Sequence, residues 1–332
     1  MKKILGLVLT VCIVVLGVTM VILTYFMPRQ RPPTDLQVTI TPELLERGTY
    51  LVEHVLLCND CHSKRNWTIY GGPPQPPFGA GRECMTRRTE TIGVRVSAGQ
   101  GNFPGVLCIR NITPDPDSGI GNWTDGELSR AIREGVDHEG KGLFPIMPYF
   151  IYRSLSDADI QAVIAYMRNL EPVSAERPER DIDFPMSTLI QLFPEPLAGP
   201  VPHPDPNDSI ATGKYLATIA RCGFCHTPRK GQGKEGIPGM DFAGGVPFVL
   251  GTRETPSRNL TPDPTGIGPW TKQAFLDRFH RFGDRHPVAT LEANTLMDWA
   301  AFAGMTDQDL GAIYDYLRSL PPIPSTVVND IR

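Results

Sequence analysis

Twice in 332 residues, two cysteines flank two residues and are followed at once by histidine: Cys58-Asn59-Asp60-Cys61-His62 and Cys222-Gly223-Phe224-Cys225-His226. No other feature constrains the fold as strongly. Two thiols at this spacing can form thioethers to the two vinyl groups of one porphyrin while the adjoining imidazole reaches the iron, which is the attachment signature of c-type haem. A zinc site or a thiol switch would use the Cys-x-x-Cys pairs without needing the histidine. The expected cofactors are therefore two covalently attached haem c groups, bound through Cys58, Cys61, Cys222 and Cys225, with His62 and His226 on the irons.

The length suits two domains, one for each motif. The chain holds 33 prolines and 32 glycines. That content implies long, proline-stiffened loops between few helices, as where chain wraps a prosthetic group instead of filling a core with side chains. The formal net charge of −4 becomes more negative once Lys2, Lys3, Arg29 and Arg31 are set aside. An acidic surface argues against nucleic acid and favours partners with a basic docking patch. Those four basic residues flank an uncharged run, Ile4 to Met27, long enough to cross a hydrocarbon layer of roughly 30 Å as a helix. No small-residue cleavage site follows it. Residues 1–31 are thus expected to be a single-pass anchor in a bacterial cytoplasmic membrane, with the haem domains in the periplasm and Cys12 a bystander thiol inside the span.

The halves align well beyond the haem motifs. Glu46-Arg47-Gly48-Thr49-Tyr50-Leu51 precedes the first and Ala211-Thr212-Gly213-Lys214-Tyr215-Leu216 the second. Asn111-Ile112-Thr113-Pro114-Asp115-Pro116 and Asn259-Leu260-Thr261-Pro262-Asp263-Pro264 each lead on to Gly-Ile-Gly and then to Trp123 or Trp270. Each half closes in an amphipathic helix with Ser156 or Thr306 as N-cap. Ile160, Val163, Ile164 and Met167 in one, and Leu310, Ile313, Tyr314 and Leu317 in the other, mark its buried face. The expected fold is mainly α: domains at 32–170 and 208–324, a proline-rich linker at 171–207 laid over the domain surfaces, and a tail at 325–332.

A haem iron with one histidine needs a sixth ligand or stays open, and that choice separates a carrier from a catalyst. Met147, in Phe144-Pro145-Ile146-Met147-Pro148-Tyr149, and Met297, in Thr295-Leu296-Met297-Asp298-Trp299, occupy the same register before the closing helices. Both are expected as distal ligands. Met305 aligns with Leu155 and reads as a core residue. His138, His280 and His286 would give bis-histidine sites but have no counterpart in the opposite half. His54 and His203 read as solvent-facing.

These segments resemble a membrane-anchored dihaem class I cytochrome c, similar to the multi-haem cytochrome subunits of periplasmic alcohol and sugar-acid dehydrogenases. The resemblance implies a tandem repeat of two cytochrome c class I domains with long Pro/Gly-rich loops, plus an N-terminal transmembrane helix. It implies electron transfer without catalysis, between a dehydrogenase or quinol-oxidising complex and a terminal acceptor such as a respiratory complex or soluble cytochrome. It further implies a proline carbonyl, of Pro73 or Pro74 and of Pro238, accepting from each proximal histidine. Trp123 and Trp270 would either donate to a haem propionate or pack on the haem edge. The pattern departs at Asp298, where the first loop has Pro148. A dihaem peroxidase or sulfur-compound oxidoreductase with one labile ligand is the alternative function.

The halves also differ in spacing. Asn111 follows Cys58 by 53 positions, whereas Asn259 follows Cys222 by 37. Cys84 and Cys108 lie in the longer stretch, and a bridge between them would close a loop of about 25 residues.

Overall fold

The computed structural model describes residues 2–25, 27–81, 84–86, 94–96, 103–175, 178–229 and 236–325. The expected tail lies, apart from its first residue, outside the described residues. The helices are α1 Lys2–Tyr25, α2 Pro42–Tyr50, α3 Cys58–His62, α4 Asp125–Glu134, α5 Tyr149–Tyr152, α6 Asp157–Arg168, α7 Met186–Leu189, α8 Ser209–Ile219, α9 Cys222–His226, α10 Lys272–His280, α11 Trp299–Phe302 and α12 Asp307–Ser319. Short strands are β1 Cys84–Thr86, β2 Val94–Val96, β3 Gly105–Cys108, β4 Asp181–Ile182, β5 Pro247–Leu250 and β6 Arg253–Pro256. β1 pairs antiparallel with β3, and β2, β5 and β6 form an antiparallel sheet in that order. Cys84 and Cys108 face each other across β1 and β3 and are joined as a disulfide.

The chain divides into two compact units. The smaller comprises Met1–Val38, Trp123–Arg153 and Ile182–Pro200. In it, Thr124 and Glu127 form a reciprocal capping box that starts α4, and Gly135, at φ 76°, ends it. A side chain on Gly135 would strike the Tyr149 ring, so α4 and α5 meet closely through this glycine. Arg31 reaches the buried Glu134 at 2.6 Å and ties the extended segment after α1 to α4.

The expected membrane anchor does not hold. Among the described residues no helix is long and apolar enough to cross a membrane. The transmembrane helix, the single-pass membrane location and the periplasmic placement expected from the sequence are set aside.

The larger unit comprises Thr39–Asn122, Ser154–Asp181 and Val201–Arg332, and contains both Cys-x-x-Cys-His motifs. Its core is built from two helix crossings, α2 on α6 and α8 on α12. At each crossing a glycine lets the backbones touch: a Cβ on Gly48 would lie 2.0 Å from the Ala162 carbonyl oxygen, and one on Gly213 1.9 Å from that of Ala312. The apolar faces read from periodicity are the ones buried, with Ile160, Val163, Ile164, Met167, Leu310, Ile313 and Leu317 in the core and Tyr314 half-buried at its edge. Ser156 and Thr306 cap α6 and α12 as expected, each accepting from the backbone N–H three residues on at 3.1 Å.

The two helix pairs exchange contacts reciprocally. Tyr50 at the end of α2 donates to Asp309 of α12 at 2.5 Å, and Tyr215 of α8 donates to Asp159 of α6 at 2.6 Å. Each phenol oxygen also accepts from the N–H of the opposite N-cap, Thr306 or Ser156. Burial, reinforced by the facing carboxylate, raises both phenol pKa values, so both stay protonated donors. The symmetry breaks after Tyr50, where the chain takes one residue more to reach its haem motif than after Tyr215. The extra residue is absorbed in a π-helical turn, Leu51–Leu56. That turn carries His54 to the carbonyl oxygen of Ala301 in α11, 2.9 Å away, so His54 is a buttress and not the solvent-facing residue expected.

Replacing Gly48 or Gly213 with alanine should cost about 1–3 kcal/mol in denaturant unfolding, because the added methyl meets backbone and not a movable side chain. Alkylation of the unfolded, unreduced chain should leave Cys84 and Cys108 unmodified, as read by peptide mass.

Candidate functional site

Each haem motif is a single short helix entered through a left-handed residue, Leu57 at φ 59° before α3 and Arg221 at φ 62° before α9. This turn breaks the preceding helix and re-aims the chain. None of Cys58, Cys61, Cys222 and Cys225 is in a disulfide. Burial pushes the Cys58 and Cys222 thiols up to about 12 and Cys225 to about 11, so unalkylated thiols here stay neutral at ordinary pH.

The two histidines are oriented identically. His62 Nδ1 lies 2.8 Å from the Arg110 carbonyl oxygen, and His226 Nδ1 lies 2.7 Å from that of Arg258. A carbonyl only accepts, so Nδ1 carries the proton and Nε2 keeps the lone pair a metal needs. Desolvation lowers the His226 pKa against the opposing effect of the Arg258 bond, which favours the neutral ring. The expected proline acceptors are not used. Pro73 spends its carbonyl on the Asn66 N–H, 2.9 Å away, and Pro74 pairs with Arg65.

The acceptor carbonyls belong to the residues directly before the repeated Asn-x-Thr-Pro-Asp segments, and those segments hold them. Asn111 Oδ1 accepts from the N–H and hydroxyl of Thr113, while its Nδ2 donates to Ser118 and to the Val173 carbonyl beyond α6. Asn259 repeats every bond, with Thr261, Thr265 and the Ile323 carbonyl beyond α12. All four Asn and Thr side chains are buried. Opposite them, Gly81 and Gly244 donate their N–H to the His62 and His226 carbonyls. At φ 80° and 72°, with backbone within 2.6 Å of where a Cβ would stand, neither position admits a side chain. Position by position, the sequence signal for these acceptors was present: Arg precedes the Asn in both halves.

Met297 and Met147 sit in turns of one kind. The Met297 carbonyl accepts from the Trp299 N–H at 2.8 Å, and the Met147 carbonyl from the Tyr149 N–H at 2.9 Å. A one-turn helix follows each, α11 or α5, and both methionines are half-buried. Met147 and Trp123 belong to the smaller unit; His62, His226, Trp270 and Met297 belong to the larger. The competing histidines are engaged elsewhere. His138 packs on Trp123 at 4.5 Å, His280 faces Asp307 at 3.1 Å, and His286 stacks on Tyr70 at 4.9 Å.

The indole Nε1 of Trp270 is buried with no acceptor among the described residues, and so is that of Trp67, which the sequence motifs do not single out. Leaving a buried donor unpaired costs about 1–3 kcal/mol. A bound group with peripheral acceptors, as haem has in its propionates, would relieve that cost, and together with the thiol pairs and the oriented imidazoles it fits the residues present.

The comparisons with known proteins bear on the second half most directly: residues 210–321 match the family described as Cytochrome c. The second half carries a cytochrome c domain. That domain implies covalent haem c. Over longer stretches the chain is similar to "Alcohol dehydrogenase (quinone), cytochrome c subunit" of Gluconacetobacter polyoxogenes, 34% identical over 68% of this chain and 50% of that protein. It is 32% identical to the subunit of the same name from Gluconobacter oxydans, over 85% of this chain and 55% of that one. A protein named "Diheme cytochrome c-type" from Cereibacter sphaeroides is 29% identical over 66% of this chain and 73% of its own length. The chain spans about half the length of the alcohol dehydrogenase subunits it matches. Each of these relatives is named as a cytochrome or a cytochrome subunit.

Replacing Asn259 with alanine would strip partners from buried Thr261 and free the segment after α12. The expected cost is on the order of 2–4 kcal/mol, measured by chemical unfolding.

Proposed function

We propose that the chain is a dihaem cytochrome c built from two copies of one class I unit, passing single electrons between a dehydrogenase and an acceptor protein. The observation that carries this reading is the shared proximal geometry: both motif histidines donate Nδ1–H to the carbonyl before an Asn-x-Thr-Pro-Asp clamp. The names of the relatives support the carrier role and a dehydrogenase as one redox partner, and one name supports two haems.

In this reading Cys58 and Cys61 hold the first haem and Cys222 and Cys225 the second. His62 and His226 are the proximal ligands, and Met147 and Met297 the distal ones. When bound, haem supplies one-electron exchange between ferrous and ferric iron. The chain's own contribution is to orient. The carbonyls of Arg110 and Arg258 fix the tautomer and plane of each imidazole, which raises its basicity as a ligand. Trp270 offers its buried N–H to a haem propionate, with Trp123 in the corresponding role in the first half. Paired His/Met ligation raises the reduction potential relative to bis-histidine ligation and leaves no open coordination position for small-molecule chemistry. The consequence is outer-sphere transfer.

Intact mass and pyridine-haemochrome absorbance should give two haems per chain. The double variant C222A/C225A should retain one, and C58A/C61A the other. Redox titration of the unaltered protein should need two one-electron centres. A single haem, or a high-spin ferric spectrum with peroxide turnover, would overturn the proposal.

A further inference from the structure

The first half carries more residues between its haem motif and its Asn-x-Thr-Pro-Asp segment than the second, and part of that surplus has a defined place. Residues 64–75 fold back on themselves, with the Asn66 N–H on the Pro73 carbonyl and the Gln75 N–H on that of Lys64, both at 2.9 Å. The tip of this loop lies on the segment leading to Met297. Tyr70 N–H donates to the His286 carbonyl, and Val288 N–H donates back to that of Thr68. Asn294, buried, accepts from the Gly71 N–H at 2.7 Å and donates to the Trp67 and Ile69 carbonyls at 2.9 and 3.0 Å. Tyr70 stacks on Phe282 and His286.

Arg65 stands at the root of this loop. Its guanidinium is almost fully buried, donates to the carbonyls of Gly71 and Gly72, and lies 4.6 Å over the Trp67 ring. It bonds the Asp298 carboxylate at 2.5 Å and reaches Asp60, between the two cysteines of the first motif, at 3.4 Å. Asp298 directly follows Met297 and stands where the other loop has Pro148. The two residues nevertheless share a backbone conformation, φ −78° and ψ 55° against φ −83° and ψ 48°. In Pro148 the ring restricts φ covalently. Asp298 has no ring, and its carboxylate, 16% exposed, is held by the ion pair to Arg65.

We propose that Arg65 is a positioning residue for the second distal ligand: with Asn294 it splints the Met297 loop, doing through an ion pair what the proline ring does in the first loop. The second haem's methionine ligation then depends on a loop from the first half. This rests on the reading of Met297 as an iron ligand.

The test uses the full-length holoprotein and the far-red charge-transfer band of methionine-ligated ferric haem, with haem content measured alongside. Met297→Leu sets the size of the second haem's share. Arg65→Met and Asn294→Ala should each reduce the band to about half while both haems stay attached, and neither should reduce it further in the Met297→Leu background. Adding Asp298→Pro to Arg65→Met should restore it, since the ring replaces the ion pair. Asn294→Ala leaves the buried charges paired, so it reports even if Arg65→Met does not accumulate. An undiminished band in both single variants overturns the splint while leaving the ligand assignment intact. If Met297→Leu leaves the band of the unaltered protein unchanged, the ligand assignment fails and the splint fails with it.

Discussion

The hydrogen bond from each motif histidine to a backbone carbonyl is the constraint around which the larger unit is arranged. A Cys-x-x-Cys-His helix places an imidazole near the right spot but leaves the ring free to turn, and a metal ligand needs one defined nitrogen. The carbonyls of Arg110 and Arg258 remove that freedom. A carbonyl can serve only if its own peptide is held, and the buried Asn111–Thr113 and Asn259–Thr261 clamps hold it by tying the chain to the segment that leaves the closing helix. Gly81 and Gly244 close the ring from the other side, because only glycine lets the two backbones approach so nearly. Helix crossing, clamp and motif histidine are thus one mechanical assembly, found in both halves.

The copies are joined by exchange. Tyr50 and Tyr215 each spend their hydroxyl on the opposite closing helix, and Arg47 adds paired bonds to Asp159 at 2.9 and 3.1 Å. Buried groups of this kind specify one arrangement, since an alternative docking would strand a carboxylate without a donor. Asp60 feels the same confinement: burial, and then the nearby Asp298, raise its pKa above the usual carboxylate range. Arg65, with Arg221, offsets the charge of the two acids there.

Much of this was legible in the order of residues. The motifs, the Asn-x-Thr-Pro-Asp pairs, the capped closing helices and the glycines before the tyrosines all repeat at matching positions, and repetition separates signal from accident. Ser156, Thr306 and the apolar faces of α6 and α12 fell where periodicity put them, because short-range rules govern them. Any residue offers a carbonyl, so the arginine repeated before each Asn-x-Thr-Pro-Asp segment does not by its side chain mark the histidine acceptor. His54 was misread because a π turn rotates it by the one residue that a helical count assumes absent. The apolar run of the N-terminus suggested a membrane span that the described helix does not supply.

By itself, then, the sequence determined the chemistry available: four thiols and two imidazoles in the haem-attachment spacing, two methionines in register, and an internal repeat. Local covalent order is enough for that, since attachment depends on neighbours along the chain. Tertiary structure decided which nitrogen of each histidine is offered, which carbonyl fixes it, and that Asp298 finds its counter-ion in the other half. Those depend on contacts between residues far apart in the chain, such as Arg65 and Asp298, whose meeting no local spacing encodes.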